Sequence, residues 1–97
     1  MAVEIQIKED VVRAYLSGEI DHHSAAQIRE TIDESIIQAA PAELILDFAR
    51  VTFMDSSGVG LILGRGRQMS GLGGRLVVQN APDTVRRMLD LAHIHYV

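Results

Sequence analysis

The chain has no cysteine and no tryptophan, only two prolines, and four aromatic residues: Tyr15, Phe48, Phe53 and Tyr96. Without cysteine there is no disulfide, thiolate nucleophile or zinc knuckle, a composition compatible with a reducing compartment. With aromatics scarce and 47% of residues hydrophobic, the core has to be aliphatic. No apolar run approaches the roughly 18 residues of a membrane span, and the N-terminus lacks a signal-peptide pattern. A soluble, cytoplasmic protein without a membrane partner is expected. Clustered Lys and Arg are missing too. A net charge of −4 argues against nucleic acid as partner, since binding its backbone needs cations that displace counterions. Repeats, linkers and low-complexity segments are absent, and 97 residues fit one domain.

What is present centres on Val51 to Leu63, where an apolar strand end meets Asp55-Ser56-Ser57-Gly58 and then a helical pattern. Ser or Asp before a helix is an N-cap signal, because a side-chain oxygen accepts from the free N–H groups of the first turn. Those groups and the helix dipole tolerate negative charge, so a serine held there can carry a phosphate without breaking the fold.

Around that turn the chain alternates strands and helices. Val3, Ile5 and Ile7 alternate with polar residues, and Val11 to Ser17 follows after Glu9-Asp10, which reads as an antiparallel hairpin. Gly18 interrupts as a bend or bulge, and Glu19 to His23 reads as a polar loop. Ser24 and Gln27 have capping-box spacing and open a helix of about 24 Å, running to Ala39 and stopped by Pro41. Ile28, Ile32 and Ile36 form its buried stripe, while Arg29, Glu30, Asp33 and Glu34 face water. Leu44-Ile45-Leu46 and Phe48 read as a strand covered on both faces. Ser57 to Ser70 is the second helix, with Gly64 and Gly66 inside it at a cost of about 1 kcal/mol each unless a neighbour approaches closely. Leu76-Val77-Val78 is a further buried strand, Pro82 sits in the first turn of a third helix, and Ile94 to Val97 forms a last short strand. Right-handed crossovers then give an α/β fold: a hairpin leading into a mixed, mainly parallel sheet with helices packed on it.

Three stretches, Leu16 to Ala25 (Leu-Ser-Gly-Glu-Ile-Asp-His-His-Ser-Ala), Phe53 to Gly60 (Phe-Met-Asp-Ser-Ser-Gly-Val-Gly) and Ile62-Leu63-Gly64-Arg65, with Gly73-Gly74 before an apolar strand, carry a family resemblance. The sequence resembles the STAS domain of bacterial anti-sigma factor antagonists, SpoIIAA type, along nearly its whole length. The resemblance implies a single STAS domain over residues 1–97. Members often continue into a further C-terminal helix, whereas this sequence stops at Val97, and Gly66 stands where a bulkier residue is common. It implies a partner-switching cycle in transcription regulation, serving sporulation or stress. The unphosphorylated domain binds an anti-sigma factor/serine kinase of the SpoIIAB type and frees the sigma factor. Phosphorylation, here at Ser56, switches it off, and a PP2C-type serine phosphatase resets it. The implied partner-binding surface is Asp21, His22, Asp55, Ser56, Ser57, Gly58, Gly60 and Arg65, on a monomer or weak dimer with no cofactor. The alternative is a STAS scaffold subunit of a larger stress-signalling assembly tuned by serine phosphorylation.

Simpler roles stand beside these. Ser56 is also read as an N-cap, and Ser57 as a rival acceptor or a first-turn hydroxyl bonding the backbone. Asp21 caps the first helix, bounds the loop, or meets a partner's cation. Arg65 and Arg67 read as a solvated helix face, with Arg65 at the interface's border. The His22-His23 and His93/His95 pairs lack a third ligand and read as surface or packing residues, not metal ligands. The turn lacks the Gly-x-Ser-x-Gly elbow of a hydrolase, and the Gly64/Gly66 and Gly71/Gly73 pairs are not phosphate loops. No enzymatic activity is expected.

Overall fold

Residues 2–97 are described by a computed structural model. Its elements run β1 (Val3–Lys8), β2 (Val11–Ile20), α1 (His22–Ala39), β3 (Glu43–Met54), α2 (Ser56–Gly71), β4 (Arg75–Gln79) and α3 (Asp83–Leu91). The four strands lie in sequence order, β1 antiparallel to β2 and the rest parallel. The two parallel crossovers move the same way across the sheet, so right-handedness places α1 and α2 on one face. In-register rows Val12–Leu44–Leu76 and Ala14–Leu46–Val78 face them. With Ile28, Ile32, Ile36, Leu61, Ile62, Met69, Val85 and Leu89 they form one aliphatic core around Phe48. The hairpin, the mainly parallel sheet and the alternating helices are as the sequence pattern predicts.

Several boundaries differ. β3 is covered by helices on one face only. Its other face joins a polar surface, where Ile45 is still only 6% exposed because Arg13 and Val77 flank it in register. On that face Asp47 is buried and accepts from the Ala49 N–H at 2.9 Å, Gln79 Nε2 at 3.0 Å and Asn80 Nδ2 at 2.8 Å. β2 does not end at Gly18. That glycine adopts φ +77° between two register shifts, a bulge that lets the strand resume to Ile20, so Glu19 to His23 is not a loop. Pro82 is the residue before α3, not within its first turn. Ile94 to Val97 forms no strand. Among the described residues its backbone hydrogen bond to β4 runs from the Val97 N–H to Val78 O, 2.9 Å away.

Candidate functional site at two joined helix starts

The bulge at Gly18 decides the site. By carrying β2 on to Ile20, it sets Ile20 opposite Met54, so neighbouring parallel strands end level with each other. Each strand is followed by an aspartate and then a helix. The Asp55 N–H donates to the Ile20 carbonyl at 3.1 Å, tying the two strand ends together. The N-termini of α1 and α2 therefore emerge side by side, at the carboxyl edge of the parallel strands.

Both aspartates are N-caps. Asp21 Oδ1 accepts from the Ser24 N–H at 2.9 Å, and Ser24 Oγ accepts from the Asp21 N–H at 3.0 Å. This capping box lies three residues ahead of the expected Ser24–Gln27 pair: the pairing of Ile20 with β3 turns the chain at Asp21, leaving Ser24 as its third helical residue. The Ser24 N–H, helped by its hydroxyl, holds the Asp21 carboxyl below its ordinary pKa. In α2, Asp55 Oδ1 accepts from the Ser57 N–H at 2.8 Å. The cap is thus Asp55 and not Ser56.

Ser56 is consequently the first residue of α2, exposed, and its hydroxyl makes no hydrogen bond among the described residues. Ser57 is half-buried; its N–H is capped, but its hydroxyl does not form the expected backbone bond. Gly58 is buried directly on Met54, where a Cβ would overlap the methionine's Cγ and Sδ. Close approach thus explains Gly58. It does not explain Gly64, whose Cβ would meet nothing within 4 Å, or Gly66, whose Cβ would make an ordinary 3.7 Å contact with Leu76. Asp21, His22 and Gly60 are exposed near Ser56 along the two helix starts.

Arg65 departs from expectation. It lies nine residues after Ser56, about 14 Å along the helix, with its side chain only 11% exposed. It is an inter-helix group and not part of a solvated face: Nε lies 3.3 Å from Asp33 Oδ1 on α1. Desolvation lowers its pKa, and the Asp33 charge opposes that shift. Between the helices below the Ser56 lip runs a groove lined by His22, Ala26, Arg29, Gly60, Gly64 and Arg65, among others. Among the described residues no three His, Cys, Asp or Glu side chains are grouped to hold a metal, and no helix is long and apolar enough to cross a membrane.

The STAS domain family model matches residues 2–97. The chain belongs to the STAS domain family. This STAS domain is 39% identical over 90 residues to the anti-sigma F factor antagonist of Lysinibacillus sphaericus, covering 93% of this chain and 76% of that protein. The solved structure of the anti-sigma factor antagonist SpoIIAA in its unphosphorylated form is 37% identical, with a TM-score of 0.87 over 99% of this chain and 88% of that one. The phosphorylated form of SpoIIAA, described as a Bacillus cell fate determinant, is 36% identical with a TM-score of 0.80, covering 99% and 91%.

Of the residues singled out from sequence, the STAS fold gathers Asp21, His22, Asp55, Ser56, Ser57 and Gly60 at one lip. It places Gly58 beneath that lip and Arg65 in the groove wall. Sequence reasoning missed the groove's other members, above all Arg29 and Gly64. A signal was there: His22, Ala26 and Arg29 share one helical face by their spacing, as do Gly60 and Gly64.

Proposed function

We propose that this STAS domain is an anti-sigma factor antagonist whose partner choice is switched by phosphorylation of Ser56. The observation that carries the reading is the Ser56 hydroxyl, exposed and without a hydrogen-bond partner among the described residues, on the first residue of α2, in a chain similar to SpoIIAA in both its unphosphorylated and phosphorylated forms. Residues 1–97 are read as one STAS unit, in keeping with the family match over residues 2–97. In the unphosphorylated state the lip of Asp21, His22, Asp55, Ser56, Ser57 and Gly60, supported by Gly58 and bordered by Arg65, docks on an anti-sigma factor/serine kinase of the SpoIIAB type. The sigma factor is thereby freed.

The kinase then transfers the γ-phosphoryl group of ATP to Ser56 Oγ. The phosphate adds about −1.5 to −2 charges beside two carboxylates, Asp21 and Asp55. Amides of the first helical turn and the helix dipole offset that charge within the domain. The penalty therefore falls on the partner's surface, through repulsion and bulk, and the complex separates while the fold persists. A PP2C-type phosphatase hydrolyses the ester and resets the cycle. The domain is read as an acceptor of this chemistry and not as an enzyme. It works in the cytoplasm as a monomer or weak dimer.

Incubation with its cognate kinase and ATP, followed by mass spectrometric mapping, should place the phosphate on Ser56. Ser56→Ala should bind the kinase and never be released by ATP, whereas Ser56→Asp should bind at least tenfold more weakly with an unchanged circular dichroism spectrum. Phosphate found only at other residues, or Ser56→Asp binding as tightly as the parent, would refute this switch.

A further inference from the structure

Gly60 and Gly64 weaken α2 as glycines do in any helix interior, and nothing around them requires it: a Cβ on either would meet no atom within 4 Å. What they share is a wall. They line the groove between α1 and α2, which has a volume of about 630 Å³ and whose floor includes Ala25 and Leu61. Among the described residues its ionisable lining is His22, Arg29 and Arg65, in a chain of net charge −4; the carboxylate nearest Arg65 is Asp33, which is not part of the lining. Arg65 is incompletely satisfied. Its Nε is ion-paired with Asp33 Oδ1 at 3.3 Å, but Nη1, with under 1 Å² of accessible surface, has no hydrogen-bond acceptor among the described residues. Burial disfavours the Arg65 cation most, the Asp33 carboxylate opposes that, and the Arg29 charge adds a smaller unfavourable contribution. Two like charges flank a groove kept open by absent side chains.

We propose that this groove receives an acidic side chain, a glutamate, from the protein that docks on Ser56; the proposal rests on the function given above. The aliphatic stem of a glutamate covers the Ala26, Gly60 and Gly64 surface, and its carboxylate faces the two guanidinium groups that line the groove, Arg29 and Arg65. Gly60 and Gly64 lie four and eight residues beyond Ser56, about 6 and 12 Å down the same helix, so one partner surface spans both. The lip offers carboxylates and the groove offers guanidinium groups. A partner with a cation above and a glutamate below is fixed in register by that opposition.

Binding to the kinase that phosphorylates Ser56, measured by calorimetry on the full chain, tests this with three variants. Gly64→Leu fills the groove and should weaken binding at least tenfold with an equal or higher Tm. Arg29→Glu should weaken it at least tenfold, while Arg67→Glu, the same charge change on an exposed position outside the groove, should stay within threefold. If Gly64→Leu lowers Tm, Gly64→Ala takes its place, with a loss of at least threefold expected. Arg29→Glu binding within threefold of the parent would overturn the acidic occupant, even if Gly64→Leu binds weakly, since the groove would then take an apolar group. A parent chain that neither binds the kinase nor is phosphorylated would refute the proposed function and the occupant with it. Phosphorylation of Ser56 with all groove variants binding like the parent would overturn the groove alone.

Discussion

Gly58→Ala tests the packing that presents Ser56. The added methyl would overlap Cγ and Sδ of Met54 and lie 3.3 Å from its Cε. Met54 is the buried last residue of β3, and its Cγ sits too near the backbone to swing clear without a change of rotamer. Overpacking of this kind costs about 1–3 kcal/mol. Replacing glycine by alanine in a helix returns about 1 kcal/mol. The net change is therefore a destabilisation of about 0–2 kcal/mol, at roughly 4–8 °C of Tm per kcal/mol for a domain of this size. A small net result from two opposed effects is best separated by a double-mutant cycle. In a Met54→Ala background the overlapped atoms are gone, and Gly58→Ala should stabilise by about 1 kcal/mol. The difference between backgrounds, about 1–3 kcal/mol, is the overlap itself. Urea unfolding followed by far-UV circular dichroism measures all four corners. Equal effects of Gly58→Ala in both backgrounds, within about 0.5 kcal/mol, would refute the reasoning.

Other perturbations follow the same logic. Asp55→Ala removes the acceptor for the Ser57 N–H and should cost about 1 kcal/mol, while Asp55→Asn, which keeps an acceptor oxygen, should recover most of it in the same urea assay. Asp47 is desolvated, which raises its pKa, but the Ala49 N–H and the Asn80 and Gln79 amides outweigh burial and hold it below its ordinary value. Its contribution to stability should therefore be complete above the unfolded carboxyl pKa of about 4 and fade as pH falls below that toward the lowered folded value. Asp47→Asn should flatten the urea midpoint between pH 5 and pH 3, and a variant as acid-sensitive as the parent would show the loss to arise elsewhere. Asp47→Ala, which orphans three donors, should cost about 1–3 kcal/mol at pH 7.

The periodicity of Val3 to Ile7, the isoleucine stripe of α1 and the apolar runs of β3 and β4 identified the elements, because burial on one face imposes a repeat on local sequence. The turn at Asp55-Ser56-Ser57 was legible for the same reason: aspartate and serines before a helical pattern are a local signal. Which of them caps was not. Asp55 took that role and left Ser56 exposed because the Ile20 carbonyl, thirty-five positions earlier, holds the Asp55 N–H and fixes where β3 ends. The start of α1 at Asp21 instead of Ser24 depends likewise on a bulge that returns β2 to its neighbour. Arg65 gives the clearest contrast. A charged residue among glycines on a helix reads as solvated, and only the packing of α2 against α1 supplies Asp33 and turns the arginine inward. Sequence determined the elements and the residue types available at each helix start, because capping groups and periodic burial act over a few residues. Tertiary structure alone decided how those starts meet and which charges are shut between them, because strand register and helix packing join residues that the chain keeps far apart.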